Sequence, residues 1–276
     1  MMTSSISLRH LPFAVSMMAL TCFLPGCRSS VAPQATPEPV LKTSCDQTYY
    51  CLKTRRDAIT VDARLDEPAW QAAPAWTDFR TPGPAHIPAI FPSEARLLWN
   101  DQYVYLAYRC ATDAIRSTLT ERDGEIFNSE TAELYLGPNG PDRPYYEIDF
   151  NPQNAIYDTH VLDYHYAQLS LHWQEWSRGF NPAVQSATRV ESNAAGRVIG
   201  WIVEAAIPME AFRDSGRIPP QPGNTWLFNL SRIADKGGNQ LEDSCLAPIG
   251  AADFHRPYEW PRLTFVKRLP KNPAMR

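Results

Sequence analysis

The chain has 276 residues and a formal net charge of −4, and no strongly basic patch stands out, which argues against nucleic acid as a partner. Its 25 prolines against 13 glycines, with 8 tryptophans and 12 tyrosines, make a loop-rich, β-leaning composition for one large or two small domains. No stretch offers about 18 consecutive apolar residues, so no transmembrane helix is expected in the mature chain.

The first residues read as an address. Arg9 and His10 precede an apolar run from Leu11 to Leu24, and Leu24-Pro25-Gly26-Cys27 closes it. This pattern is similar to a bacterial lipoprotein signal, in which cleavage before Cys27 is followed by lipidation of its thiol; an ordinary secretory signal cleaved nearby is the alternative. Residues 1–26 are thus taken as signal peptide. Residues 27–54, rich in Ser, Pro, Ala and Thr at their start, are taken as a flexible tether. The expectation is export to the bacterial envelope, with a lipid anchor holding the domain at the outer membrane or its periplasmic face. Beyond Cys27 remain Cys45, Cys51, Cys110 and Cys245. An even count in an oxidising compartment predicts two disulfides, with three pairings open; the short spacing of Cys45 and Cys51 suggests a local loop and leaves Cys110 for Cys245.

The folded body is expected over 55–268, followed by a short tail, 269–276. Pro68 starts a brief helical turn that places Trp70 and Ala73 inward. Glu94 to Trp99 and Tyr103 to Cys110 flank Asn100-Asp101-Gln102, a hairpin signal, with Val104, Leu106, Tyr108 and Cys110 on the core face. Two further alternating runs follow, Glu130 to Leu136 and Tyr145 to Asn151, joined by a Gly/Pro-rich loop. Matching their apolar faces pairs Leu134 with Ile148 and Ala132 with Phe150, since a slip of one residue would bury the polar set. That register sets Glu133 opposite Asp149 and Tyr135 opposite Glu147. Like charges directly opposed on a sheet are destabilising, so an arginine, a cation or the hydroxyls of a ligand should compensate this face.

Thr159 to Asn181 reads as irregular and carries His160, His165, His172, Trp173 and Trp176. A hairpin turns at Asn193 to Gly196 into Gly200 to Pro208, Met209 to Asp214 forms one helical turn, and strands follow at Trp226 to Arg232 and Arg262 to Val266. Many short strands with regular turns and little helical periodicity predict an all-β fold: an antiparallel β-sandwich of two packed sheets.

The segments LDEPAW, LLWNDQYVYLAY, ETAELYL, YYEIDFNP, GWIVEAAIP and WLFNLSR occur in an order that resembles family 9 carbohydrate-binding modules across Ala58 to Lys267. The resemblance implies a β-sandwich that binds sugars, often with structural calcium and often attached to enzymes that degrade plant polysaccharides. Carried over residue by residue, it makes Phe127 a stacking aromatic where tryptophan is usual, and Glu133 a partner of sugar hydroxyls. It places Asp149 where a basic residue is usual. No second stacking tryptophan aligns before the last strand, although Phe254, His255, Tyr258 and Trp260 lie near.

A sugar site needs aromatic surface for the ring and placed hydrogen-bonding groups for its hydroxyls. The candidate carbohydrate-binding residues are Phe127, Glu133, Glu147, Asp149, Trp173, Trp176 and Arg232, the last either a donor to the ligand or a structural partner of the acidic face. No catalytic residue is assigned. The expected function is non-catalytic binding of a plant-type polysaccharide or oligosaccharide at the cell envelope. The alternatives are a glycan-degrading hydrolase or its accessory, for which the hairpin supplies carboxylates, and a structural envelope lipoprotein that has lost sugar binding. Calcium is the cation the oxygen-rich loops would favour, around Asp142 or Asn151 to Asp158, although no twelve-residue calcium loop is present.

Overall fold

A computed structural model describes residues 43–162, 180–215 and 217–271. Eleven strands in chain order are β1 (Thr48–Lys53), β2 (Ser93–Trp99), β3 (Tyr103–Ala111), β4 (Thr131–Gly137), β5 (Tyr145–Phe150), β6 (Ile156–Val161), β7 (Gln185–Ser192), β8 (Val198–Pro208), β9 (Thr225–Gly237), β10 (Gln240–Cys245) and β11 (Arg262–Val266). The one α-helix among the described residues, α1 (Pro68–Ala72), starts at the expected proline and buries Trp70, with Ala73 just beyond it also buried. Proline fits there because the first turn leaves its amide positions unbonded in any case.

The strands form one continuous sheet in the order β6-β5-β4-β9-β11-β1-β2-β3-β8-β7, with β10 added to β9. Two separate antiparallel sheets were expected, so this is a correction. The strand that joins the halves is β1, parallel to both β11 and β2. It occupies Thr48–Lys53, read above as the end of the tether. Its neighbours explain why: Thr48 pairs with Arg262 and Leu52 with Leu98, partners far along the chain that no local pattern reveals.

The sheet curls so that its inner faces share one core. Leu97, Trp99, Leu106, Tyr108, Trp201 and Val203 from β2, β3 and β8 pack in the same cluster as Leu134, Ile148, Phe150, Phe228 and Leu230 from β4, β5 and β9. A direct bond crosses it: Tyr108 Oη on β3 donates to the Ser231 carbonyl on β9 at 3.0 Å. Each large apolar side chain buried here contributes roughly 1.5–3 kcal/mol relative to leaving it in water. No helix among the described residues is long and apolar enough to cross a membrane.

The expected disulfides are not formed; Cys45, Cys51, Cys110 and Cys245 are four separate buried thiols. A disulfide requires Cα atoms about 4.4–6.8 Å apart. Cys51 sits within β1 in the shared core, whereas Cys45 precedes that strand and its thiol faces Gln47. Cys110 belongs to the shared core and Cys245 to a second cluster around Trp260, where its thiol points at the Ala247 carbonyl.

Candidate functional site

The register of the β4–β5 hairpin is the one the apolar pattern demands: Ala132 with Phe150, Glu133 with Asp149, Leu134 with Ile148, Tyr135 with Glu147. The apolar members enter the shared core, so by alternation Glu133, Tyr135, Glu147 and Asp149 lie together on the opposite, outer face. Strand β9 flanks β4 and adds Asn229 and Ser231 to that face, opposite Tyr135 and Glu133. Strand β6 flanks β5 and adds Tyr157 opposite Asp149.

Hydrogen bonds tie the three acids together. Ser231 Oγ donates to Glu133 Oε2 at 2.6 Å, and Tyr135 Oη lies 2.9 Å from Glu133 Oε2 and 3.0 Å from Glu147 Oε1. A phenol has one proton to give, so it donates to one carboxylate; its second contact is a hydrogen bond only when the other acid keeps a proton. Asp149 is hydrogen-bonded to Glu147, which requires one of the two to keep its proton, and among the described residues the Asn229 side-chain NH2 meets no acceptor, although its Oδ1 takes the Ala247 amide at 3.1 Å.

Electrostatics follow from that crowding. Burial pushes the Glu133 carboxyl up to about 7, against the pull of Ser231 and Tyr135. Burial, then the charge of Glu133, pushes Glu147 up to about 8. Asp149 is driven well above the carboxylate range by burial, then by Glu147 and Glu133. The nearest imidazole gives no relief, because burial lowers His255 to about 4 and leaves it neutral at pH 7.

Arg232, a candidate for this face, is not on it. Its strand neighbours Ser231 and Ile233 point outward, so Arg232 points inward with Leu230, as its pairing with Ala132 requires. There it forms a fully buried ion pair with Glu130, whose Oε1 also accepts from Trp201 Nε1 at 2.7 Å, and the guanidinium lies 5.5 Å from the Trp201 ring. The first acid of the ETAELYL segment is thus the arginine's partner, and the acidic face is left without it.

Phe127 stands at the rim. It occupies a short 3-10 turn, Ile126–Asn128, fixed by Thr131 Oγ1 donating to the Ile126 carbonyl at 2.5 Å. Its half-buried ring meets Tyr157 edge-on with centroids 5.1 Å apart, and Tyr157 is the cross-strand partner of Asp149. Trp260 closes the other side of the face as core: it is fully buried against Tyr135 and Tyr145 and donates Nε1 to the Phe254 carbonyl at 2.9 Å. Trp173, Trp176 and Cys27 lie outside the described residues. The sequence passed over Asn229 and Ser231; matching the outward side chains of the WLFNLSR strand to the acidic hairpin was the signal that could have found them. Among the described residues, no three His, Cys, Asp or Glu side chains are arranged to hold a metal ion.

The pattern described as "Carbohydrate family 9 binding domain-like" matches residues 61–266, and the chain belongs to this family. No curated protein matches the sequence. Among solved structures, a protein from Bacteroides uniformis, assigned provisionally to carbohydrate binding, is similar at 17% identity with a TM-score of 0.59, covering 79% of this chain and 99% of its own. A family 9 carbohydrate-binding module from Caldicellulosiruptor kristjanssonii, solved with cellotriose, is similar at 13% identity with a TM-score of 0.54, covering 82% of this chain and 100% of its own. The same organism's module with glucose matches equally, at 13% identity and a TM-score of 0.54, over 82% of this chain and 98% of its own. These likenesses establish a shared fold.

Proposed function

We propose that this protein binds carbohydrate, without catalysis, on the outer face of β4, β5 and β9. The observation that carries the reading is the buried Asn229 NH2, which meets no acceptor among the described residues, beside three buried acids and a half-buried aromatic at the rim. A buried polar group left unbonded costs about 1–3 kcal/mol. Sugar hydroxyls both donate and accept, so one ligand satisfies an acid and an amide together. Phe127 offers a ring face for pyranose C–H groups. Family membership and the fold shared with the Caldicellulosiruptor module, itself complexed with cellotriose and glucose, support the same reading.

Glu133, Glu147 and Asp149 are 1%, 4% and 0% exposed, whereas Glu125 and Asn128 next to Phe127 are open to solvent. The proposal extends to location: export to the envelope with a lipid on Cys27 would keep glycan near the cell surface, on the support of the N-terminal sequence alone. It also extends to structural calcium held by oxygen-rich loops.

Calorimetric titration of the purified protein with cello-, xylo- and manno-oligosaccharides, with and without a chelator, tests this. Saturable binding to one series is expected, abolished in Glu133→Ala and weakened in Phe127→Ala, with cooperative melting kept in both; dependence on calcium would show as loss with chelator. Binding unchanged in both variants would move the site elsewhere. A second reading has an observation of its own: the near-complete burial of the three acids also suits a structural, proton-sharing cluster in a family member that no longer binds sugar. Silence across the panel from folded protein would select it.

A further inference from the structure

An open depression of about 290 Å³ lies where the β2–β3 turn meets the short 3-10 turn Met209–Ser215 that follows β8. Its place relative to the acidic face follows from register. Gly137, at the end of β4, pairs with Leu227 near the start of β9, and Thr225 pairs with Thr264 on β11. Leu52 then pairs with Val266, and Lys53 with Trp99, the residue that enters the turn. The depression therefore sits at the opposite strand ends from Phe127, which precedes the start of β4.

Local bonds hold its walls. Asn100 Oδ1 accepts the amides of Gln102 and Tyr103 at 2.8 and 2.9 Å, which sets Asp101 and Gln102 at the tip of the turn. The Gln102 carbonyl accepts the Met209 amide at 2.7 Å, which seats Glu210 on the same depression. Tyr103 pairs with Pro208 across the strands and packs, half-buried, against the cluster around Trp70. Tyr103, Pro208, Ile218 and Pro219 supply the apolar wall, and Asp101, Gln102 and Glu210 supply the polar groups.

That mixture has a definite chemistry. Asp101 Oδ1 pairs with Lys53 Nζ at 2.6 Å, and Glu210 Oε1 lies 3.4 Å from Arg213 Nη1. The two acids are 64% and 72% exposed, and the second oxygen of each has no partner among the described residues. Exposed ion pairs of this kind contribute little to folding. Each sets an acceptor next to a donor, which matches a vicinal diol: one hydroxyl donates to the carboxylate while its neighbour accepts from the cation. The tyrosine and the apolar wall suit the C–H face of a ring. A cavity at the lower end of the ligand-site range, about 300 Å³, takes one ring rather than a chain. A strictly apolar ligand would desolvate the carboxylates without replacing their bonds.

We propose that this depression is a second carbohydrate subsite, weaker than and separate from the outer face of β4, β5 and β9, and that it takes one neutral pyranose unit of a polysaccharide. Tyr103 flanks the ring, and the pairs Asp101–Lys53 and Glu210–Arg213 hold its hydroxyls. The ligand class rests on the carbohydrate-binding reading above; the site itself does not. The seven residues of β4 alone put roughly 23 Å between the two strand ends, a span beyond a trisaccharide. A trimer therefore reports on one site, and a polymer gains from engaging both.

The test compares the affinity of the whole protein for cellotriose, xylotriose and mannotriose with that for hydroxyethyl cellulose, xylan and mannan. The variants are Tyr103→Ala, Glu210→Gln and Glu133→Ala, each checked by its melt; Glu210→Gln changes only an exposed side chain. Tyr103→Ala and Glu210→Gln should leave trimer affinity within about twofold. Both should weaken binding of the matching polysaccharide about tenfold, as loss of one charge-assisted hydrogen bond implies. Polysaccharide affinity unchanged in both variants would overturn this subsite and leave the outer face standing. Trimer binding lost in Tyr103→Ala and kept in Glu133→Ala would uphold the depression as a sugar site and overturn the outer face. No binding of any trimer or polymer by folded wild type would end both readings.

Discussion

Replacing Asp149 with asparagine should stabilise this protein above neutral pH and leave it nearly unchanged in acid. Asp149 and Glu133 are directly opposed across β4 and β5, which places their Cβ atoms about 5 Å apart. At an effective dielectric near 20, two unit charges at that distance repel by about 3 kcal/mol. The wild type avoids part of that by keeping protons, so the realised gain from Asp149→Asn at pH 8 should be about 1–2 kcal/mol, helped by an amide NH2 that can donate to Glu147. For a domain of this size that is a rise in melting temperature of roughly 2–8 °C.

The sign of the pH dependence is fixed by the same groups. Glu133 is raised to about 7 and Glu147 to about 8, so between about pH 4.5 and 8 the folded state holds protons that the unfolded state has released. Stability from this cluster is therefore fully present below the unfolded carboxyl range and is lost as pH rises through 7 and 8. The slope is about 1.4 kcal/mol per pH unit for each proton held. Urea denaturation followed by tryptophan fluorescence at pH 5, 6.5 and 8 measures this. Wild type should weaken steadily with pH, and Asp149→Asn should weaken less and converge with wild type at pH 5. A variant that is less stable at pH 8, or that keeps the wild-type slope, would refute the uncompensated-carboxylate account.

Other perturbations probe the frame around the face. Glu130→Ala leaves Arg232 buried without its ion partner and should cost about 3–5 kcal/mol in urea denaturation; Glu130→Gln with Arg232→Met should recover part of it. Gly200→Ala would set a Cβ 2.7 Å from the Cys110 carbonyl, where β8 meets β3, and should lower stability by about 1–3 kcal/mol without altering the pH slope. Alkylation without reductant should leave Cys45, Cys51, Cys110 and Cys245 unmodified in the folded protein and label all four in denaturant; a pair resisting the denatured reaction would reveal a disulfide.

The alternation of Leu134, Ile148 and Phe150 with Glu133, Glu147 and Asp149 was enough to fix the hairpin register and to gather the acids on one face, because a period of two is a local property of the chain. The same holds for the β2–β3 hairpin around Asn100 and for the inward Trp70 of α1. Asn229 and Ser231 were half-legible: their alternation was in view, but their place beside β4 was not.

What the sequence by itself determined, then, is which residues form strands, which side of each strand is apolar, and that one hairpin brings carboxylates face to face. Only the tertiary structure decided what becomes of that charge. Arg232 could have served the acidic face until β9 was seated beside β4, and one residue of alternation sends it inward to Glu130. Strand β1 looked like tether until Arg262 and Leu98 supplied its edges, and the cysteines looked like pairs until Cys110 and Cys245 packed into different clusters. Each of these outcomes depends on contacts between residues tens to hundreds of positions apart, and a local pattern of hydrophobic and polar residues carries no record of which distant strand will lie alongside.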